Sequence, residues 1–136
     1  MKRRDFLILS AAAAALPLAA HAAAAVDYSP ELLADRLAKG ETVFLDFKAS
    51  WCSTCAAQER VINALKATNP AYGKQITFIN VDWDKWGNSD IVKTMKIPRR
   101  STLVVLKGDK ELGRIVAGTA EADIKALMDT ALQAAA

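Results

Sequence analysis

Short apolar runs alternate with amphipathic stretches along most of the chain. Four runs are too short for confident helices and predict strands, over residues 42–48, 75–82, 102–106 and 111–117. Apolar residues at helical spacing predict helices around them, over residues 30–39, from 52 to about 68, over 90–95 and over 121–134. Residues 22–26 and 83–89 carry neither pattern and are predicted to be a tether and a connection.

The order of these elements predicts the fold class. Ser29-Pro30 is typical of a helix N-terminus, and Gly40 ends the first helix. A strand–helix–strand crossover makes the first two strands parallel, whereas the turn at Gly108-Asp109 makes the last two an antiparallel hairpin. The sequence therefore predicts an α/β domain with a small mixed central sheet and helices on both faces.

The length and the charge restrict the possible functions. The chain has 136 residues, which suits one domain better than two. The net charge is +3, and residues 2–5 supply +2 of it, so the remainder carries about +1. This balance gives no electrostatic basis for nucleic-acid binding.

Residues 1–22 have the pattern of an export signal. A basic start at Lys2, Arg3 and Arg4 precedes an apolar stretch over residues 6–20, and Ala20-His21-Ala22 fits a small-x-small cleavage site. The basic start is similar to a twin-arginine signal, and a Sec signal with two arginines is the alternative. The apolar stretch is short for a membrane span, although an uncleaved anchor stays a minor alternative. We expect cleavage near Ala22, a mature domain over residues 23–136 without a membrane span, and a periplasmic location.

Two cysteines, Cys52 and Cys55, provide the candidate chemistry. A disulfide between residues this close restricts the unfolded chain little, so the pair suits redox cycling better than structural cross-linking. Cys52 lies where the first strand gives way to a helix, and a helix N-terminus stabilises thiolate over thiol. Cys52 is therefore expected to be the accessible, low-pKa nucleophile. Cys55, one turn later, is expected to resolve the mixed disulfide.

A metal site is the main alternative chemistry. A closed zinc site needs four ligands, and the chain has no second cysteine pair, while its one histidine, His21, lies at the predicted cleavage site. We therefore predict no metal site and no cofactor within the chain. Two chains could still pool their cysteines around a metal or an iron–sulfur centre, and a redox-inert interaction scaffold is the other alternative.

The residues around the cysteines resemble a known family. The run from Val43 to Cys55, V-F-L-D-F-K-A-S-W-C-x-x-C, closely resembles the active-site segment of thioredoxins, and the likeness continues to about Leu132. It implies a thioredoxin fold, thiol–disulfide oxidoreductase activity, and protein thiols and disulfides as partners. We also expect the protein to be a monomer. Glu59 gives a weaker likeness to the C-terminal thioredoxin domain of the transmembrane reductant carrier DsbD, which makes a membrane reductant carrier a candidate partner.

The resemblance assigns roles to several residues. Asp46, within an otherwise apolar strand, is implied to lie buried behind the second cysteine and to accept its proton. A solvent-facing Asp46 is the alternative, but a carboxylate in an apolar run is costly without a function. Trp51 is expected to contact partner proteins. The residues expected to tune the redox chemistry are Ser53, Thr54 and Lys48, although Lys48 could equally be a solvated strand end.

The sequence departs from the thioredoxin pattern in three respects. Phe78 and Ile79 stand where a lysine usually pairs with the buried Asp, and Lys48 stands where an aromatic residue is common. Ser101 replaces the cis-proline of the substrate-facing loop, where it and Arg100 are expected to contact the partner. Without proline a cis bond is costly, so the Arg100–Ser101 bond is predicted to be trans. We expect a trans bond to leave more room over the sulfurs and to ease metal capture.

Overall fold

The protein is described by a computed structural model over residues 24–136. Five strands and six helices follow one another along these residues: β1 Val26–Asp27, α1 Pro30–Ala38, β2 Thr42–Lys48, α2 Ser53–Thr68, α3 Ala71–Gln75, β3 Ile76–Asp82, α4 Trp83–Trp86, α5 Asp90–Thr94, β4 Thr102–Lys107, β5 Lys110–Val116 and α6 Glu121–Ala135. The predicted export signal, residues 1–22, and its predicted cleavage point lie outside the described residues.

The strands form one mixed sheet in the order β1-β3-β2-β4-β5. Strands β1, β3 and β2 run parallel, whereas β4 is antiparallel to β2 and pairs with β5 in a hairpin. The parallel first pair and the terminal hairpin confirm the predicted architecture. The central strand is β2, which is buried along six of its seven residues and leads directly to the cysteines.

The two faces of the sheet carry separate apolar cores. On one face Phe44 and Leu103 pack with residues of α2, α3 and α6. On the other, Leu45 and Phe47 pack with residues of α1, α4 and α5. Because successive side chains of a strand point to opposite faces, Asp46 shares the α2 face with Phe44. The alternation therefore aims the single carboxylate of β2 toward the helix that carries the cysteines.

Three short elements were missed by the sequence prediction. The predicted tether contains β1, which exists only because Val26 pairs with Ile79 and Asp27 with Asn80 far along the chain. The predicted connection contains α4, whose first turn is capped by the Asp82 carboxylate accepting the Asp84 N–H at 3.0 Å. Helix α3 occupies five residues just before β3, which are too few to show a helical period in the sequence.

Within residues 24–136, no helix is long and apolar enough to cross a membrane.

Candidate active site

The two cysteines lie at the junction between β2 and α2. Cys52 is the N-cap of α2, and its Sγ accepts the backbone N–H of Cys55 at 3.1 Å. The two sulfurs are joined in a disulfide, with a Cα–Cα distance of 5.3 Å. The sequence forms this junction because the apolar strand ends at Lys48 and the chain turns through Ala49 and Ser50 before the helix begins. The predicted strand–turn–helix placement of the cysteines is confirmed.

Both cysteines are buried in this oxidised form. Cys52 is 4% exposed and Cys55 is 1% exposed, so Cys52 has slightly more accessible surface than its partner. The accessibility and low pKa expected of Cys52 concern the reduced protein and stay a prediction. Trp83 and Ala49 pack against the pair and contribute to this burial. Both cysteines nevertheless line a cleft of about 370 Å³, whose wall includes Lys48 and Glu59.

Ser101 lies directly against the disulfide. The Arg100–Ser101 bond is trans, as predicted, since residues 24–136 contain no cis peptide bond. The expected room over the sulfurs is absent, because Ser101 Oγ lies 3.2 Å from Cys52 Sγ and 3.1 Å from Cys55 Sγ. Ser101 is completely buried, so its side chain faces the sulfurs and not the surface on which a partner would dock.

Gln58 is a site residue that the sequence prediction missed. It is fully buried on α2, one turn after Cys55. Its Nε2 donates to the carbonyls of Ser101 at 3.0 Å and Gly118 at 2.9 Å. The sequence did offer one signal for Gln58. It is a polar residue on the inner face of a helix, three positions after a reactive cysteine. Gln58 fastens the Ser101 loop to the helix that holds the cysteines.

Asp46 is buried, as the resemblance implied. It is 6% exposed, and its Oδ1 has no hydrogen-bond partner. Burial raises the pKa of Asp46 to about 6; the Lys48 charge opposes this shift, the Glu59 charge adds to it, and the Lys66 charge opposes it. A carboxyl with this pKa gains and loses a proton near neutral pH, which suits a group that exchanges protons during a reaction.

Lys66 supplies a cation that the sequence prediction did not assign to Asp46. It extends from α2 with its Nζ 3.6 Å from the centre of the Phe78 ring. Burial lowers the pKa of Lys66, while the charges of Asp46 and Glu59 counter that shift. Phe78 occupies a position where thioredoxins carry the lysine, so here the aromatic ring supports a lysine from the neighbouring helix. No direct ion pair to Asp46 is formed among the described residues.

A small cavity beside Asp46 shares lining residues with the cysteine cleft. Its volume is about 40 Å³, and it is lined by Asp46 and Lys66 together with Lys48, Glu59 and Asn80. The last three residues also line the cleft that contains both cysteines. Lys48 and Glu59 form an ion pair at 2.9 Å at this boundary, so Lys48 is a partly buried, paired residue and not a freely solvated strand end.

An exposed platform lies beside the cysteines. Trp51 is 59% exposed, and its Nε1–H donates to the Asp84 carboxylate at 3.0 Å. The Arg100 guanidinium lies over the Trp51 ring, 4.4 Å from its centre. Thus the structure brings together Trp51 and Arg100, the two predicted partner contacts that reach the surface. Asp84, which orients the indole, was not predicted.

The two residues between the cysteines lie in the first turn of α2. Ser53 is exposed and Thr54 is half-buried.

Over residues 24–136, no three side chains of the His, Cys, Asp and Glu types are grouped closely enough to hold a metal ion. Within one chain, the described residues thus offer no ligand group that supports a metal site.

Comparison with known proteins identifies the family. The profile of the family described as Thioredoxin matches residues 25–130. The chain belongs to the thioredoxin family. It is similar to putative thioredoxin-4 of Dictyostelium discoideum, with 29% identity over 97 residues that cover 71% of this chain and 86% of that protein. Thioredoxin H2-1 of Oryza sativa subsp. japonica is 31% identical over 74 residues, 54% of this chain but only about half, 49%, of that protein.

A solved structure supports the same conclusion. Trxlp from Edwardsiella tarda EIB202 superposes with a TM-score of 0.65 at 27% identity, covering 76% of this chain and 98% of that one. The thioredoxin fold predicted from the sequence is thus confirmed. Family membership and the Cys52–Cys55 pair at disulfide distance make this thioredoxin-family chain a protein thiol–disulfide oxidoreductase.

Proposed function

We propose that this protein exchanges disulfides with protein partners in a bacterial-type periplasm, with Cys52 attacking, Cys55 resolving and Asp46 accepting a proton. The observation that carries these roles is the hydrogen bond from the Cys55 amide to Cys52 Sγ at the N-terminus of α2. Unpaired N–H groups and the helix dipole both favour negative charge on the sulfur at this position. Cys55, inside the helix and more deeply buried, lacks that advantage.

The proposed exchange proceeds in two sulfur transfers. The Cys52 thiolate attacks one sulfur of a partner disulfide, forms a mixed disulfide and releases the first partner thiolate. The Cys55 thiol then loses its proton, and its sulfur attacks Cys52 Sγ. This step closes the Cys52–Cys55 disulfide and releases the second partner thiolate, so two electrons pass to the partner. The reverse sequence oxidises a partner dithiol.

Asp46 is the proposed acceptor of the Cys55 proton. Its unpartnered Oδ1 and its pKa of about 6 mean that the buried carboxylate can take a proton at neutral pH without losing a hydrogen bond. The cavity that Asp46 lines shares Lys48, Glu59 and Asn80 with the cysteine cleft and is large enough to hold a water molecule. These shared polar residues support a proton route between Asp46 and the cysteine cleft.

Partner contact is proposed at Trp51 and Arg100, because both reach the surface beside the cleft. Ser53 and Thr54 are proposed to tune the reduction potential from the first turn of α2, and Lys48 is proposed to tune it from the cleft wall.

We further propose that the protein works as a monomer. A membrane reductant carrier would supply its electrons when it acts as a reductase.

Export is proposed from residues 1–22 alone. Their basic start, apolar stretch and small-x-small site fit a cleaved signal of the twin-arginine type. Expression of the full chain in a Gram-negative bacterium, followed by fractionation and mass spectrometry, tests this. We expect a periplasmic product that begins near residue 23 and is lost when twin-arginine export is blocked. A full-length cytoplasmic product would contradict the proposed location.

Trapping in the same cells tests the proposed roles. We expect Cys55→Ser to accumulate mixed disulfides with periplasmic proteins, since the step that releases the partner is removed. Accumulation by Cys52→Ser instead would reverse the assignment of the two cysteines.

A further inference from the structure

A single hydroxyl contacts both redox sulfurs. Ser101 Oγ lies 3.2 Å from Cys52 Sγ and 3.1 Å from Cys55 Sγ. The side chain is fully buried, so bulk water does not compete for these contacts. We propose that Ser101 is a catalytic hydrogen-bond donor, whose O–H group serves whichever of the two sulfurs carries the negative charge during exchange.

The backbone holds Ser101 in this position from both sides. Its N–H donates to the carbonyl of Phe47, the last fully buried residue of β2, at 2.7 Å. Its carbonyl accepts the N–H of Ala117 at 2.8 Å. The φ of Ser101 is +63°, in the left-handed region that side-chain-bearing residues rarely adopt. Such a conformation persists when surrounding contacts fix it, and such positions cluster at functional sites.

Gln58 is the positioning residue for this hydroxyl. Its Nε2 donates to the Ser101 carbonyl at 3.0 Å and to the Gly118 carbonyl at 2.9 Å. Because Gln58 lies one helical turn after Cys55, the contact ties Ser101 to the helix that carries the resolving cysteine. Gln58 therefore positions the Ser101 backbone, and with it the hydroxyl, relative to the helix that carries both sulfurs.

The hydroxyl keeps its proton throughout the reaction. This step rests on the proposed roles of the two cysteines. In the reduced protein the Ser101 O–H donates to the Cys52 thiolate. Once Cys52 is bound in the mixed disulfide, the O–H turns to the Cys55 sulfur, on which charge develops as its proton passes to Asp46. No bond of Ser101 is broken, and the electrons follow the sulfur transfers alone.

The contact favours the reduced state over the disulfide. A thiolate is a strong, charged acceptor, whereas the sulfurs of a disulfide are weak neutral ones. Ser101 therefore lowers the pKa of the attacking cysteine and makes the Cys52–Cys55 couple more oxidising. A charge-assisted hydrogen bond of ordinary strength corresponds to about a tenfold change in each equilibrium.

Ser101→Ala tests the proposal, since it removes the hydroxyl and little else. Thiolate absorbance titration should show the pKa of the attacking cysteine raised by about one unit. Equilibration with glutathione should show the couple about tenfold less oxidising, which is about 30 mV for two electrons. Ser101→Gly lacks the same hydroxyl and accepts a positive φ, so it gives the same readout if the alanine variant does not fold.

Thr102→Val is the matched control. Thr102 is the next residue and is equally buried, but its hydroxyl donates to the Arg99 carbonyl at 2.7 Å and not to a sulfur. The Thr102→Val variant should be less stable than the wild type. The pKa of its attacking cysteine and the reduction potential of its couple should not change. A wild-type pKa and potential in Ser101→Ala or Ser101→Gly would overturn the proposal, as would an equal shift in Thr102→Val. The reduction potential of the couple does not depend on which cysteine attacks. The potential therefore tests the Ser101 proposal, whereas the cysteine-trapping experiment tests the proposed roles of Cys52 and Cys55.

Discussion

The indole Nε1–H of Trp51 donates to the carboxylate of Asp84, 33 residues away, at 3.0 Å. This bond holds the exposed ring beside the cysteine cleft, while the Arg100 guanidinium covers it at 4.4 Å. A fixed ring loses less freedom on binding a partner than a mobile one does, so its orientation should affect affinity.

Substitution of either neighbour of Trp51 should weaken protein binding. For Asp84→Ala and Arg100→Ala we expect KM for a protein disulfide such as insulin to rise about two- to fivefold, the equivalent of a cation–π contact or weak hydrogen bond. Turnover of a small disulfide should not change. Asp109→Ala, in the β4–β5 turn, is the control. Equal loss with both substrates would mean that these residues act on the sulfurs and not on docking.

Asp46→Asn should stabilise the protein at neutral pH. The pKa of Asp46 in the folded state, about 6, exceeds its reference value of 3.8. The folded state therefore binds more protons than the unfolded state between these values, and stability falls as pH rises through this window. A shift of this size corresponds to about 3 kcal/mol. Denaturant unfolding should show the variant more stable at pH 8 and similar to wild type below pH 4.

The same substitution should slow the exchange reaction. Release of the partner from the mixed disulfide should accelerate in the wild type as pH rises through about 6, and this inflection should be absent in Asp46→Asn. Asp123→Asn, an exposed carboxylate on α6, is the control for both measurements. An unchanged pH profile in Asp46→Asn would remove Asp46 from the mechanism.

Ser101→Pro, which would restore the usual thioredoxin residue, should damage this protein. Proline fixes φ near −65°, whereas Ser101 has φ +63°, and it lacks the N–H that donates to the Phe47 carbonyl. We expect a loss of at least about 2 kcal/mol in the free energy of unfolding. Ser101→Gly keeps both the N–H and the φ and should lose less. Equal stability of the two variants would show that this loop can adopt a proline-compatible path.

The sequence predicted the parts of the fold that depend on local pattern. The β2 run, its junction with α2 and the position of Cys52 followed from an apolar run, a turn and helical spacing. The strand β1 did not, because its two residues are ordered only by pairing with Ile79 and Asn80. The helix α4 was hidden in a polar and aromatic segment whose first turn is closed by the Asp82 side chain.

The site shows the same division. Cys52, Cys55 and Asp46 are visible as residue types in a recognisable run. Lys66 and Gln58 act on the site from later turns of α2, and only the folded helix brings them near Asp46 and Ser101. The Ser101 contact was misjudged because its direction depends on a left-handed φ, which a serine rarely adopts and no local pattern predicts.

The transfer of electrons between this protein and a protein disulfide tests the central claim most directly. The reduced protein is incubated with a protein of known disulfide content, the thiols are blocked, and both partners are weighed by mass spectrometry. We predict one Cys52–Cys55 disulfide gained for each partner disulfide lost, with none gained in Cys52→Ser. A partner disulfide that persists, or one that is lost while Cys52 and Cys55 stay reduced, would contradict the account.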